Sequence, residues 1–112
     1  MTTNFQAPTQ IDLTDTETTL MTVGSTTGTI FKDGVVKVTN NTSATRLVYV
    51  YAVPSGASVS DTNAAANGMS VPARDYILIP VGRLGASGTI QAKADQTASL
   101  TISLVSGNEY TP

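Results

Sequence analysis

The chain contains no cysteine, no histidine and no tryptophan. Without cysteine there is neither a disulfide framework nor a thiolate metal site. Small extracellular domains often carry disulfides, so their absence fits assembly in a reducing cytosol. Without histidine the commonest general base and commonest metal ligand are missing, and a nucleophilic triad of the usual kind cannot be built. The lack of tryptophan weakens the case for sugar stacking or a Trp-centred binding hot spot. Charge is also scarce. Charged residues make up 12% of the chain, about half the usual share. Six basic residues stand against eight acidic ones, which leaves no polyelectrolyte footprint for nucleic acid. No apolar run approaches the roughly 20 residues that span a membrane. The opening segment MTTNFQAPTQ has neither a basic region nor an apolar core, so it does not read as a secretory signal. The expectation is a soluble protein made in the cytoplasm.

Threonine and serine supply the polarity instead, with nineteen of the first and ten of the second. The branched Cβ of threonine fits a pleated surface and favours strands. A weakly charged surface of hydroxyls costs little to desolvate and suits a protein that lies against another protein. At 112 residues the chain makes one domain, able to bury about two-thirds of the surface that its extended form exposes.

The pattern along the chain is β throughout. Val35-Val36-Lys37-Val38-Thr39 and Arg46 to Val53 are alternating runs on either side of the polar cluster Asn40-Asn41-Thr42-Ser43-Ala44-Thr45. They read as the two central strands, because a helix needs apolar residues at a period near 3.6 and these repeat by two. In the second run Leu47, Tyr49, Tyr51 and Val53 face one side and Val48, Val50 and Ala52 the other. Both faces are apolar, which places the strand between two layers or between a core and a partner. Further strands are read near Ile11 and Leu13, Leu20 to Val23, Thr29 to Lys32, Asp75 to Val81, Thr89 to Ala94 and Ser99 to Ser106. Asp33-Gly34 signals either a hairpin or a bulge within one bent strand. The Asp75–Val81 run is the most apolar and reads as a core strand, with Pro80 limiting pairing to one side. Asp61 to Asn67 is the one helix-friendly stretch, long enough for one or two capped turns inside a loop over residues 57–68. Residues 1–10 are expected to be a flexible arm, or alternatively one that orders on a partner through Phe5, 11–106 the folded domain, and 107–112 a polar tail. Seven to nine short strands, with turn signals about every 8–12 residues and no βα alternation, indicate a single antiparallel β-sandwich. Jelly-roll and immunoglobulin-like topologies remain alternatives.

Few residues offer chemistry. Asp12, Asp15 and Glu17 cluster, but without the loop glycine and terminal glutamate of a calcium loop they read as a solvated, charged edge. Gly82, Gly85 and Gly88 lack the pattern of a phosphate-cradling loop. Two formal glycosylation sequons over residues 40–43 read as a turn. No catalytic, cofactor or metal residue is expected, and the chain does not read as an enzyme. The candidates are interface residues. Arg46, Arg74 and Arg83 stand beside strand ends, where a guanidinium can grip a partner's carboxylates. Tyr49 and Tyr51 carry amphipathic rings suited to an interface, and Phe5 could anchor the arm.

The order of these pieces resembles small virion proteins of tailed bacteriophages. The shared features are an early strand of TLMTV type and the approach V-V-K-V-T-N-N-T-S. The strand and turn V-Y-V-Y-A-V-P-S-G follow, then an apolar strand before a glycine loop. Last come G-T-I-Q-A-K-A-D and S-L-T-I-S-L-V-S-G-N-E. The resemblance covers about residues 18–109. It departs at Gly24-Ser25-Thr26, where the relatives often have a Pro-Ala-Gly turn. It implies a β-sandwich accessory on the capsid exterior, a decoration, cement or staple protein that bridges major capsid protein subunits against internal DNA pressure. A homo-oligomer is expected alongside. The alternatives are a tail-associated or adsorption protein, located on the tail, and a carbohydrate-binding module, which would need a row of exposed aromatics.

Overall fold

The structure is a computed structural model that describes residues 2–5, 10–97 and 99–112. Nine strands are present among them: β1 (Thr2–Phe5), β2 (Gln10–Asp12), β3 (Thr18–Thr22), β4 (Ile30–Asn40), β5 (Arg46–Val53), β6 (Ala64–Val71), β7 (Tyr76–Gly85), β8 (Thr89–Ala94) and β9 (Leu100–Thr111). A single 3₁₀ turn, Asp61–Asn63, precedes β6. One sheet runs β1-β9-β4-β7, with β2 also on β9, and the other runs β3-β8-β5-β6. All pairings are antiparallel.

The pairing order decides between the two topologies. Strands pair from the ends of the chain inward: β2 with β9, β3 with β8, β4 with β7 and β5 with β6. The chain is thus one long two-ply hairpin rolled up, its successive plies joined by β4–β9 and β5–β8. That is the jelly-roll form of the β-sandwich. The central runs β4 and β5 therefore lie in opposite sheets, and the polar cluster between them crosses from one layer to the other.

Alternation fixes which residues fill the gap between the layers. Val36 and Val38 of β4, Ile79 and Val81 of β7, and Leu100, Ile102 and Leu104 of β9 point inward from one sheet. Val48 and Val50 of β5, Ile90, Ala92 and Ala94 of β8, and Leu20 and Met21 of β3 meet them. At the crossing, the buried Asn40 ties the layers together. Its Nδ2 donates to Ala44 O at 2.8 Å and Val71 O at 3.0 Å, while its Oδ1 accepts from Thr42 N and Thr42 Oγ1. The sequon reading as a turn is consistent with this burial.

A line of bulges crosses the larger sheet. Gly34 pairs with Gly82 and Val35 with Pro80, so Val81 is the extra residue on β7. Lys32 pairs with Asn108 and Val35 with Ser106, which sets Asp33 and Gly34 against the lone Gly107. Of the two readings of Asp33-Gly34, the bent single strand is the one present. Bulges bend a strand and sharpen its twist. The Phe31 ring, fully buried, sits beneath this bend.

Four expectations differ from the structure. The arm and tail at the two ends pair with each other as β1 and the end of β9, Thr2 opposite Thr111 and Phe5 opposite Asn108. The Phe5 side chain and residues 6–9 lie outside the described portion. Where one or two helical turns were expected, Ala64 to Asn67 joins β6, because pairing with β5 outweighs the weak helical preference of three alanines. The Asp75–Val81 run forms the open edge of its sheet, in keeping with the one-sided pairing read from Pro80, and it leaves Tyr76, Leu78 and Pro80 exposed where a core strand was expected. Finally, β7 continues through Gly82 to Gly85, where a loop was expected.

Candidate functional site

Strand alternation on β7 turns Ile77, Ile79 and Val81 inward and leaves Tyr76, Leu78 and Pro80 on the outer face. Leu78 is 55% exposed, Tyr76 51% and Val105 41%. Val35 lies across from Pro80, and Lys37 across from Leu78. Val105 falls in the β9 register shift beside Val35 and Val36. The outer face of the larger sheet thus carries an apolar stripe over three neighbouring strands. The molecule extends 46 × 25 × 17 Å, so its broad faces are the large surfaces it offers to a neighbour.

Cations border the stripe. Lys37 Nζ lies 4.7 Å from the centroid of the Tyr76 ring, and Lys32 Nζ lies 4.9 Å from that of Tyr110. On the opposite sheet Lys93 Nζ lies 5.0 Å from the Tyr49 centroid and 3.8 Å from Glu17 Oε1. Each of the three lysines therefore covers a tyrosine of a neighbouring strand. These contacts are exposed and individually modest. Lys37→Ala should lower stability by about 0.5–1 kcal/mol, whereas Lys37→Arg should retain it. Urea denaturation of the two variants measures the difference.

The residues singled out from sequence are not brought together. Arg83 is exposed on the outer face of the larger sheet, at the bend. Arg46 begins β5 opposite Val71, half-buried, and its Nε has no partner among the described residues. Arg74 is exposed in the β6–β7 turn at φ 58°, and its N donates to Thr42 O at 3.1 Å, so it lies at the same end as Arg46. Tyr49 is half-buried on the outer face of the smaller sheet, beneath Lys93. Tyr51 is only 4% exposed. Burial raises its phenol above the ordinary 10.0, with Lys93 opposing the shift and Glu17 and Asp61 adding to it. With Tyr51 buried and Tyr49 covered, this sheet presents no open aromatic row of the kind a glycan platform uses. Phe5 takes part through its backbone in β1.

Sequence reasoning missed Leu78 and Val105 as surface residues, and Lys32 and Tyr110 as neighbours. The signal for Leu78 was Pro80, whose missing N–H confines it to a sheet edge and hence leaves one side of the run unpaired. Among the described residues no group of three or more acidic side chains converges as a metal site. The acidic residues near β2 are spread instead: Asp12 accepts from Thr101 Oγ1 and Glu17 faces Lys93. No helix among the described residues is long and apolar enough to cross a membrane.

No protein-family model matches the chain, and no curated protein matches it. Among solved structures, the chain is similar to one of the infectious bursal disease virus Gx strain, at 14% identity with a TM-score of 0.44. It is also similar to a VP2 subviral particle of infectious bursal disease virus, at 14% identity with a TM-score of 0.40. In both cases the match covers 96% of this chain and 31% of the other.

Proposed function

We propose that this chain is a virion structural protein of a tailed bacteriophage, a jelly-roll decoration protein that lies on the capsid exterior and bridges major coat subunits. The observation that carries the reading is the outer face of the larger sheet, where Tyr76, Leu78 and Val105 are each more than two-fifths exposed and stand beside Val35 and Pro80. Contiguous exposed apolar surface rimmed by polar groups marks a protein-interaction site. The strands of this face are held by the β4–β7 and β4–β9 ladders and by the core beneath. A protein of this kind acts by repetition, each weak contact multiplied over many copies on a shell. The resemblance in residues 18–109 to phage accessory proteins points the same way.

The experiment uses particles lacking this protein, with the purified chain added back, and measures genome release on heating or osmotic shock. Added wild-type protein should bind the particles and raise their resistance, and Leu78→Asp should abolish both effects while the isolated variant stays folded. Unchanged resistance with bound protein would remove the cement role. Immunogold label on the tail would replace the capsid assignment with the tail alternative.

A further inference from the structure

At the bend of the larger sheet, three adjacent strands place Tyr110, Ile30 with Lys32, and Arg83 side by side, with Ile30 opposite both Tyr110 and Gly85. These four residues line a cavity of about 180 Å³. Lys32 and Arg83 also line a second, shallow cavity of about 470 Å³ that runs along β4 and β7 past Val35 and Pro80. The two cavities share both cations and so form one elongated groove, cationic where they join, with Ile30 and Tyr110 to one side and Val35 and Pro80 to the other.

The charges of this groove are unmatched from within. Neither Lys32 nor Arg83 forms an ion pair among the described residues, where Lys93 and Glu17 make such a pair. Among the described residues Asp33 is the one carboxylate lining the groove, and its backbone is held at φ 61° in the bulge. Glu109 is turned to the other side of β9 from Tyr110, where its Oε1 accepts from Gly24 N. Two cations are thus concentrated on one patch of a chain whose net charge is −2.

We infer that this groove takes an extended acidic segment of a partner protein, its carboxylates on Lys32 and Arg83 and its apolar side chains against Val35 and Pro80. An arginine fork fits a carboxylate in a planar, bidentate manner. The alternation of an extended segment matches a groove with charge at its middle and apolar wall to either side. Nucleic acid fits less well, since two cations on an acidic chain make no phosphate-tracking stripe. The inference rests on the docking reading above only for the identity of the partner as a coat subunit.

The test titrates the full chain, labelled with ¹⁵N, with a blocked hexapeptide of alternating glutamate and valine. Its glutamine analogue and inorganic phosphate serve as comparisons. Shifts should concentrate at Ile30, Lys32, Val35, Arg83 and Tyr110, and the glutamine analogue should bind at least tenfold more weakly. Arg83→Gln and Lys32→Gln should each weaken binding about tenfold, as expected for loss of one charge-assisted contact. Lys93→Gln, on the other sheet, should leave it unchanged. All three positions are exposed or paired at the surface, and the variant spectra report that the fold is intact. Equal binding of the glutamine analogue, equal shifts with phosphate, or indifference to Arg83→Gln would each overturn the inference. Peptide binding without particle binding would keep the groove and remove the coat reading. Particle binding without peptide binding would remove the groove alone.

Discussion

Gly107→Ala should destabilise the protein by about 3 kcal/mol or more, through backbone strain and overpacking together. Gly107 has φ 147°, a conformation that residues with a side chain rarely adopt, and a Cβ there would overlap the Phe31 ring. Gly34 approaches the same ring from β4. A Cβ at Gly34 would lie 2.5 Å from Phe31 Cε2 and 2.7 Å from Val81 Cγ2. The two glycines separate the contributions, because Gly34 has no positive φ to forfeit. Gly34→Ala should therefore be substantially rescued by Phe31→Leu, which withdraws the ring, whereas Gly107→Ala should be rescued only in part. Urea denaturation of the single and double variants gives the coupling energies. Equal rescue at both sites would show that the positive φ of Gly107 costs nothing. Because Lys32, Val35 and Arg83 are placed by this same bend, Gly107→Ala should also disturb their backbone resonances.

Asn40→Asp is expected to cost about 3–5 kcal/mol, the range for breaking a buried polar network and leaving a charge in it. The two side chains have nearly the same shape, so packing is held constant. What changes is that Nδ2, the donor to Ala44 O and Val71 O, becomes a second acceptor facing those carbonyls. Asn40→Ala removes the repulsion but leaves Val71 O and Thr42 N without their partner, and should cost about 2–3 kcal/mol. The order of the two variants is the informative result. If alanine were the worse, the loss would be one of volume and the network would matter little. Differential scanning calorimetry and urea denaturation both measure it.

The β-sandwich was legible because its signal is local. Val36 and Val38, Val48 and Val50, Leu100 and Ile102 alternate without interruption, and all six are buried as the alternation demands. The layer to which each strand belongs was not legible. Nothing in Val35–Thr39 or Arg46–Val53 states whether the six residues between them close a hairpin or cross the core. That is decided by which distant strands each run meets. The Ala64-Ala65-Ala66 stretch carries a weak local preference for helix, and Ala66 is instead buried opposite Val50. Tertiary pairing outweighs propensity of that size. In Asp75–Val81 the hydropathy of Leu78 matches that of Ile79, although one is exposed and the other buried. An apolar outer face makes period two invisible. Arg83 was noticed as a charge near a strand end. Its companion Lys32 lies fifty-one positions earlier, and only the β4–β7 ladder brings the two to one groove.

Of the described strands β9 is translated last, and it is the one neighbour of β1 and β2, while β4 has β7 as well. Until residues 100–111 emerge, two early strands have nothing to pair with and the interior lacks Leu100, Ile102 and Leu104. Closure consequently waits until translation has passed Leu100. A nascent chain halted before that point would display its valine-rich strands to chaperones and to other copies.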